Sequence, residues 1–218
     1  MATPFELTED GFELQFAASH LGHFVLTNTI LPKVLAAGPG ARIIPLTSSG
    51  HRYSGVRFND PNFTEPGSYT RYDAYGQAKS AVILYAVALN KRLSASSRTG
   101  VRAYAVHPGS IQTNLQSHVM KVPAAELAQM MEDAAERVMG MSIDEYRRTN
   151  PWLTLQQGCA TTLRAALDPE LVEREGVYLQ DCELNTDPKW IKEWATDPEL
   201  AEKLWALSEE LVGEKFDV

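Results

Sequence analysis

Three short apolar runs, separated by long helix-prone stretches, constrain the fold of this chain more than any other feature. "ARIIPLTSS" (41–49), "GVRAYAVHPGS" (100–110) and "GVYLQDCE" (176–183) each read as a buried strand. "RYDAYGQAKSAVILYAVALNKRL" lies between the first two, and "TLQQGCATTLRAALDPEL" lies between the last two. "TEDGFELQFAASHLGHFVLTNTILPKVLAAG" precedes them all, with Thr8 or Asp10 as its expected cap and Gly38 and Pro39 as its stop. Strands alternating with helices of this length call for parallel strands joined by crossover helices. The expected fold class is therefore α/β, a Rossmann-type parallel sheet of about three strands in a single domain over 1–218. The tail carries one or two amphipathic helices that begin at Asp-Pro pairs. Pro45 falls inside the first strand, and proline is usually confined to sheet edges, so its nitrogen is expected to face away from the "VRAYAV" strand.

At 218 residues and 44% hydrophobic, the chain can bury a substantial core. A formal net charge of −8 with no basic stripe argues against nucleic acid as a partner. No apolar run approaches the ~18 residues of a membrane span, and "MATPFELTEDGFE" has no apolar signal segment, so a cytoplasmic location is expected. Cys159 and Cys182 show no metal spacing and read as reduced core thiols.

Tyr75 and Lys79 share one helix face, four residues apart. Tyrosine titrates near 10, and a neighbouring cation favours its phenolate, so the pair suits acid/base work. The spacing alone also fits a surface pair. "LTSSG" and "HPGSIQTN" place hydroxyls and a turn at the C-terminal ends of two strands, where open α/β sheets bind ligands. "SHLGHF" precedes both.

In that order these motifs resemble the short-chain dehydrogenase/reductase family, in the branch with retinol-dehydrogenase-like and fungal metabolic enzymes. The resemblance spans nearly the whole chain. It implies that Tyr75 is the general acid/base, that Lys79 lowers the phenol's pKa and holds the nicotinamide ribose, and that Ser48, rather than its neighbour Ser49, binds the substrate carbonyl. Pro108, Gly109, Ile111 and Thr113 match the segment around the nicotinamide, with NADP or NAD as cofactor and a small-molecule substrate of secondary metabolism. It also implies a homodimer through the two long helices (11–35 and 72–93), for which Phe16, Phe24, Ile83 and Val87 offer apolar surface.

The chain departs from that pattern at two places. Ser19 stands where the family has an asparagine of the proton relay, while His20 and His23 match positions with no metal role. No glycine-rich turn follows a strand and opens a helix; the glycines of "GPGARIIP" precede one. The expectation is a family member lacking its first half, N-terminally truncated. The alternative is a cofactor-independent acid/base catalyst (isomerase, dehydratase or cyclase) or a non-catalytic relic. The methionine-rich stretch with Met120, Met130, Met131, Met139 and Met141 reads as packing or as an adaptable lid.

Overall fold

The computed structural model describes residues 1–96 and 100–218. A short α1 (Leu14–Phe16) runs through a π turn (Ala17–Leu21) into α2 (Gly22–Ala36). Strand β1 (Arg42–Ile43), helix α3 (Arg71–Ala95) and strands β2 (Arg102–Ala103) and β3 (Ala105–His107) follow. Helices α4 (Ala124–Met139), α5 (Ile143–Thr149) and α6 (Leu155–Leu167) lead to β4 (Tyr178–Gln180), β5 (Glu183–Asn185) and the last helix, α7 (Pro198–Val212). β1 pairs parallel to β2, and β3 pairs parallel to β4, as α/β crossover order requires.

The first helix starts later than the sequence suggests. Thr8 and Gly11 close a tight turn, and Glu13 caps α1 by accepting from the Gln15 and Phe16 amides. A carboxylate satisfies the free N–H groups at a helix start and meets its positive dipole end. At the other end of the chain, "GVYLQDCE" is not one strand. It reverses at Asp181 and Cys182, both with positive φ (51° and 61°), and the chain returns as the antiparallel β5. Two left-handed residues make the tight hairpin turn. Thr161 holds it by accepting from the Cys182 amide, and Arg164 donates to the Cys182 carbonyl.

Pro45 does not face the open edge. Tyr104 N–H donates to Ile43 C=O, Val106 N–H to Pro45 C=O, and Thr47 N–H to Val106 C=O, so residues 43, 45 and 47 all point at the 102–107 strand. In a strand the N–H and C=O of one residue point the same way, so the Pro45 nitrogen faces Tyr104. The register is continuous, with Arg42 opposite Arg102 and Leu46 opposite Val106. Proline has no N–H for the one bond to Tyr104, and the ladder lapses there. The opposite edge, through Ile44 and the exposed Leu46, is guarded by no proline.

Helix α3 is buried nearly all round. Ala78, Val82, Tyr85, Ala86 and Leu89 are buried as their spacing predicts, but so are Gln77 and Ser80 on other faces. C-terminal α7 lies across it. Trp205 meets Phe24 and Tyr85 with ring centres 5.1 and 5.9 Å apart, and the Arg92 guanidinium sits 3.9 Å above its indole. The Ser208 hydroxyl donates to Leu204 C=O and is therefore the acceptor for His20 Nε2 at 2.7 Å. Burial holds that imidazole neutral, with its pKa lowered to about 3, while His23 is exposed.

This packing covers the apolar residues named for pairing through the long helices. Phe16, Phe24 and Ile83 are fully buried, and Val87 is half-buried against the same core. The cysteines also differ from expectation: Cys159 is exposed and Cys182 half-buried. Among the described residues, no helix is long and apolar enough to cross a membrane.

Pro45→Val is expected to supply the missing donor. A ladder bond is worth about 1 kcal/mol and valine's β preference up to ~1 kcal/mol, against ~0.4–1 kcal/mol lost because proline stiffens the unfolded chain. Denaturant unfolding should show a net gain of roughly 0.5–1 kcal/mol. Hydrogen exchange should show a newly protected amide at position 45.

Candidate active site

Thr70 caps α3 by accepting from the Asp73 amide, so the helix begins one turn before Tyr75. That start puts Tyr75 and Lys79 on the face turned toward the end of β1. Thr47 and Ser48 finish the strand: the Thr47 hydroxyl donates to the Lys79 carbonyl at 2.8 Å, which ties strand end to helix. Ser48 is extended (φ −157°, ψ 157°), and its Oγ accepts from the Gly50 amide at 3.0 Å. With that lone pair used, the hydroxyl proton is free to point at the Tyr75 phenol, and Ser48 stands close enough to counter part of that phenol's upward pKa shift. Gly50 has to be glycine, since a Cβ there would lie 2.6 Å from Tyr75 Cε1. Ser49 also borders the space.

The second wall follows β3. Gly109 has φ +88°, and a Cβ would meet Leu153 Cδ1 at 2.5 Å, so only glycine turns the chain here. Ile111 packs on α6 at Gly158, where a Cβ would come within 2.2 Å of its Cδ1. Thr113 is exposed and uses its hydroxyl to cap the turn Asn114–Gln116, with Gln116 bonding back to the Thr113 amide. Pro108, Gly109, Ile111 and Thr113 all border one cavity of about 880 Å³, together with Ser48 and Tyr75.

Its roof is α4 and α5, reached across the void from Tyr53 and Tyr72, which stack at 5.0 Å. Arg137 of α4 pairs with Asp73 and donates to the Tyr53 carbonyl at 2.8 Å, fastening the roof beside Tyr75. Met120 and Met131 line the cavity, as a lid would place them; Met130 is half-buried and the Met139 side chain lies outside the described residues. Cys159 and Trp152 also border the space, and nothing in their sequence context singled them out.

Lys79 departs from expectation. It is not among the residues lining the cavity; its Nζ donates to Leu46 C=O at 3.1 Å and stands 5.6 Å from the Tyr75 ring centre. A long flexible stem lets the ammonium reach an unpaired strand carbonyl instead of the phenol oxygen. Accordingly, burial raises the Tyr75 pKa above its ordinary value, and the nearby Ser48, not Lys79, opposes it. Burial also lowers the Lys79 pKa to about 8. Ser19 sits half-buried in the π turn, and it is not among the residues lining the cavity.

The donor set fits the nicotinamide end of a dinucleotide: two hydroxyls, an apolar isoleucine and an open backbone turn at the C-terminal ends of two strands. Buried His107, at the base of the same cavity, has an Nδ1 without a partner. The residues do not fit the diphosphate end. Gly38 and Gly40 lie at the opposite, N-terminal end of β1, and the Gly40 amide is bonded to the Gly100 carbonyl.

No protein-family model matches the chain. It is 36% identical over 219 residues to "Short-chain dehydrogenase TIC 32 A, chloroplastic" of Brassica napus, covering 97% of this chain and 61% of that protein. Retinol dehydrogenase 12 of Mus musculus is 32% identical over 218 residues, covering 100% of this chain and 60% of the relative. Retinol dehydrogenase 14 of Homo sapiens is 33% identical over 212 residues, covering 96% and 55%. The chain thus spans about three fifths of the length of the curated relatives it matches. A crystal structure of an uncharacterised protein from Mycobacterium paratuberculosis superposes with TM-score 0.66 at 29% identity, over 100% of this chain and 65% of that one.

Lys79 should lose its proton near pH 8 instead of at its ordinary 10.5. The unfolded chain then holds a proton that the folded chain has released, so stability rises as pH goes from about 8 toward 10.5. Below pH 8 the cost of the buried charge is fully present. NMR titration of the Lys79 side chain reads the midpoint directly, and a midpoint above 10 would contradict the burial.

Proposed function

The chain belongs to the short-chain dehydrogenase/reductase family, and from that premise we propose that it interconverts a carbonyl and an alcohol on an apolar small molecule with a nicotinamide cofactor. One observation carries the reading: Ser48 and Tyr75 border one cavity, close enough for the serine to lower the phenol's pKa, and the other walls of that cavity are largely apolar and aromatic.

A substrate oxygen entering between the serine hydroxyl and the Tyr75 O–H would accept a hydrogen bond from both. A bound nicotinamide would supply hydride to the carbonyl carbon, and Tyr75 would give its proton to the oxygen. In the reverse direction the phenolate takes it back. Burial keeps Tyr75 protonated at neutral pH, which suits the donor role. Lys79 stands one turn behind, and leaving Leu46 C=O for a ribose hydroxyl would bring its charge beside the phenol. The roof of α4 and α5 excludes water, and the Tyr53–Tyr72 stack gives a flat apolar wall.

NADP and NAD are both compatible with these residues, and small-molecule or secondary metabolism remains the proposed setting. A cytoplasmic placement is part of the same proposal and is tested by fractionation. A homodimer needs a face other than the buried one; the exposed Leu26 and Ile30 of α2 offer such a surface. The misfit at the diphosphate end favours a second reading, a cofactor-independent acid/base catalyst built on the same Ser48 and Tyr75.

Tyr75→Phe removes one hydroxyl and little packing. Turnover of apolar aldehydes should fall by about 100-fold or more, as expected for loss of a general acid. Unfolding of the variant should match that of the parent chain. Activity within tenfold of the parent would refute Tyr75 as the proton donor.

The lack of a phosphate cradle among the described residues also sets the cofactor affinity of these 218 residues. NADPH and NADH should bind no tighter than about 1 mM, or ~4 kcal/mol. Cofactor fluorescence titration measures this, and a micromolar constant would show that other residues hold the phosphates.

A further inference from the structure

The residue that holds Ser48 in place is His51, to which neither the motif pattern nor the relatives' names assign a part. His51 is fully buried three residues after Ser48. Its ring Nδ1 lies 2.7 Å from the Ser48 carbonyl, which can only accept, and its Nε2 lies 3.3 Å from the Lys192 amide, which can only donate. The two neighbours leave one tautomer: neutral, with the proton on Nδ1.

The charged groups around it agree. Arg52, Lys192 and the His107 ring disfavour a second proton, and burial does so most strongly. The His51 carbonyl is held as well, by the Ser80 hydroxyl at 3.0 Å and by the Trp194 indole N–H at 3.2 Å. Tyr178 of β4 packs edge-on against the ring at 5.3 Å. Arg52 strengthens the same contact, donating to the Trp190 carbonyl at 3.0 Å.

We infer that His51 is a positioning residue for Ser48, and that the segment 187–195 holds it in the one tautomer that can do this. The bond to the Ser48 carbonyl fixes the 48–49 peptide plane. That plane sets where Ser48 Oγ stands between the Gly50 amide and the Tyr75 phenol. The segment touches the turn after Ser48 through His51 and Arg52, and none of its residues is among those that line the cavity. The inference rests on reading Ser48 and Tyr75 as the working pair, but the bond itself is measurable without turnover.

The experiment compares His51→Phe, which keeps a ring without a donor, with His51→Asn, whose side-chain N–H sits where Nδ1–H was. Long-range proton–nitrogen NMR of the parent chain should show the His51 proton on Nδ1. Gly50 amide exchange reports the Ser48 oxygen. It should quicken about tenfold or more in His51→Phe, to the rate seen in Ser48→Ala, and return toward the parent rate in His51→Asn. Core amides of α3 should stay unchanged in both. Trp194→Phe, which leaves the ring and removes one clamp, should quicken Gly50 by a smaller factor and serves if the Phe variant does not fold. In turnover, His51→Phe should lower kcat with KM held within about twofold, and Asn should recover most of it. An unchanged Gly50 amide in both Phe variants, or equal quickening of Gly50 and the α3 core, would overturn the inference. If Tyr75→Phe retains activity, the oxidoreductase reading fails while the Gly50 measurement still decides the role of His51.

Discussion

Two side-chain hydroxyls fasten α3 to the end of β1, and the site depends on that joint. Thr47 donates to the Lys79 carbonyl, and Ser80 donates to the carbonyls of His51 and Ser54. Each bond is worth only about 1 kcal/mol in stability. Their value lies in phase: they fix how far α3 is rotated and slid relative to the strand, and so which helix residues meet Ser48. A slip of one residue turns a helix by about 100°, enough to carry Tyr75 out of reach. The glycines at 50 and 76 serve the same end. Both lie where α3 meets the 50–54 turn, and a Cβ at Gly76 would lie 2.8 Å from the Ser54 nitrogen.

The rest of the chain supports that joint from outside. α7 covers the far face of α3, with Trp205 between Phe24, Tyr85 and Arg92. The segment before it presses on the turn after Ser48 through His51 and Arg52. The floor of the cavity is therefore braced on two sides. Its roof is not: α4 has little buried surface, and its link to the floor runs through the partly exposed Arg137 and Asp73. A braced floor with a lightly held roof lets the roof move without disturbing Ser48 and Tyr75.

Much of this was legible in the chain. The order of strands and helices, the Tyr75–Lys79 spacing and the turn at 108–109 rest on local signals: strand ends, helix spacing and glycine or proline punctuation; Ser48 and the roles of residues 108–113 were implied by the family resemblance. The misreadings share one cause, which is that hydrogen-bond partners distant in sequence leave no local trace. Pro45 carries an edge signal, yet its register is set by Tyr104 and Val106. Lys79 has the spacing to reach the phenol, yet the Leu46 carbonyl holds it. "GVYLQDCE" has the composition of one strand, yet Thr161 and Arg164 turn it at Asp181.

What the sequence determined by itself was the α/β class, the helix that carries Tyr75 and Lys79, and the place of Ser48 and the 108–113 turn after strands. Those follow from short-range sterics and the two periodicities of side-chain direction. Only the tertiary structure decided the protonation states and the partners. Burial raises Tyr75, lowers Lys79 and keeps His20, His51 and His107 neutral, and burial is a property of the whole packed core. It also decided that Phe16, Phe24 and Ile83 are buried in the core, with Phe24 against Trp205 of α7. An apolar stripe specifies that it must be covered; which element covers it depends on contacts made more than a hundred residues away.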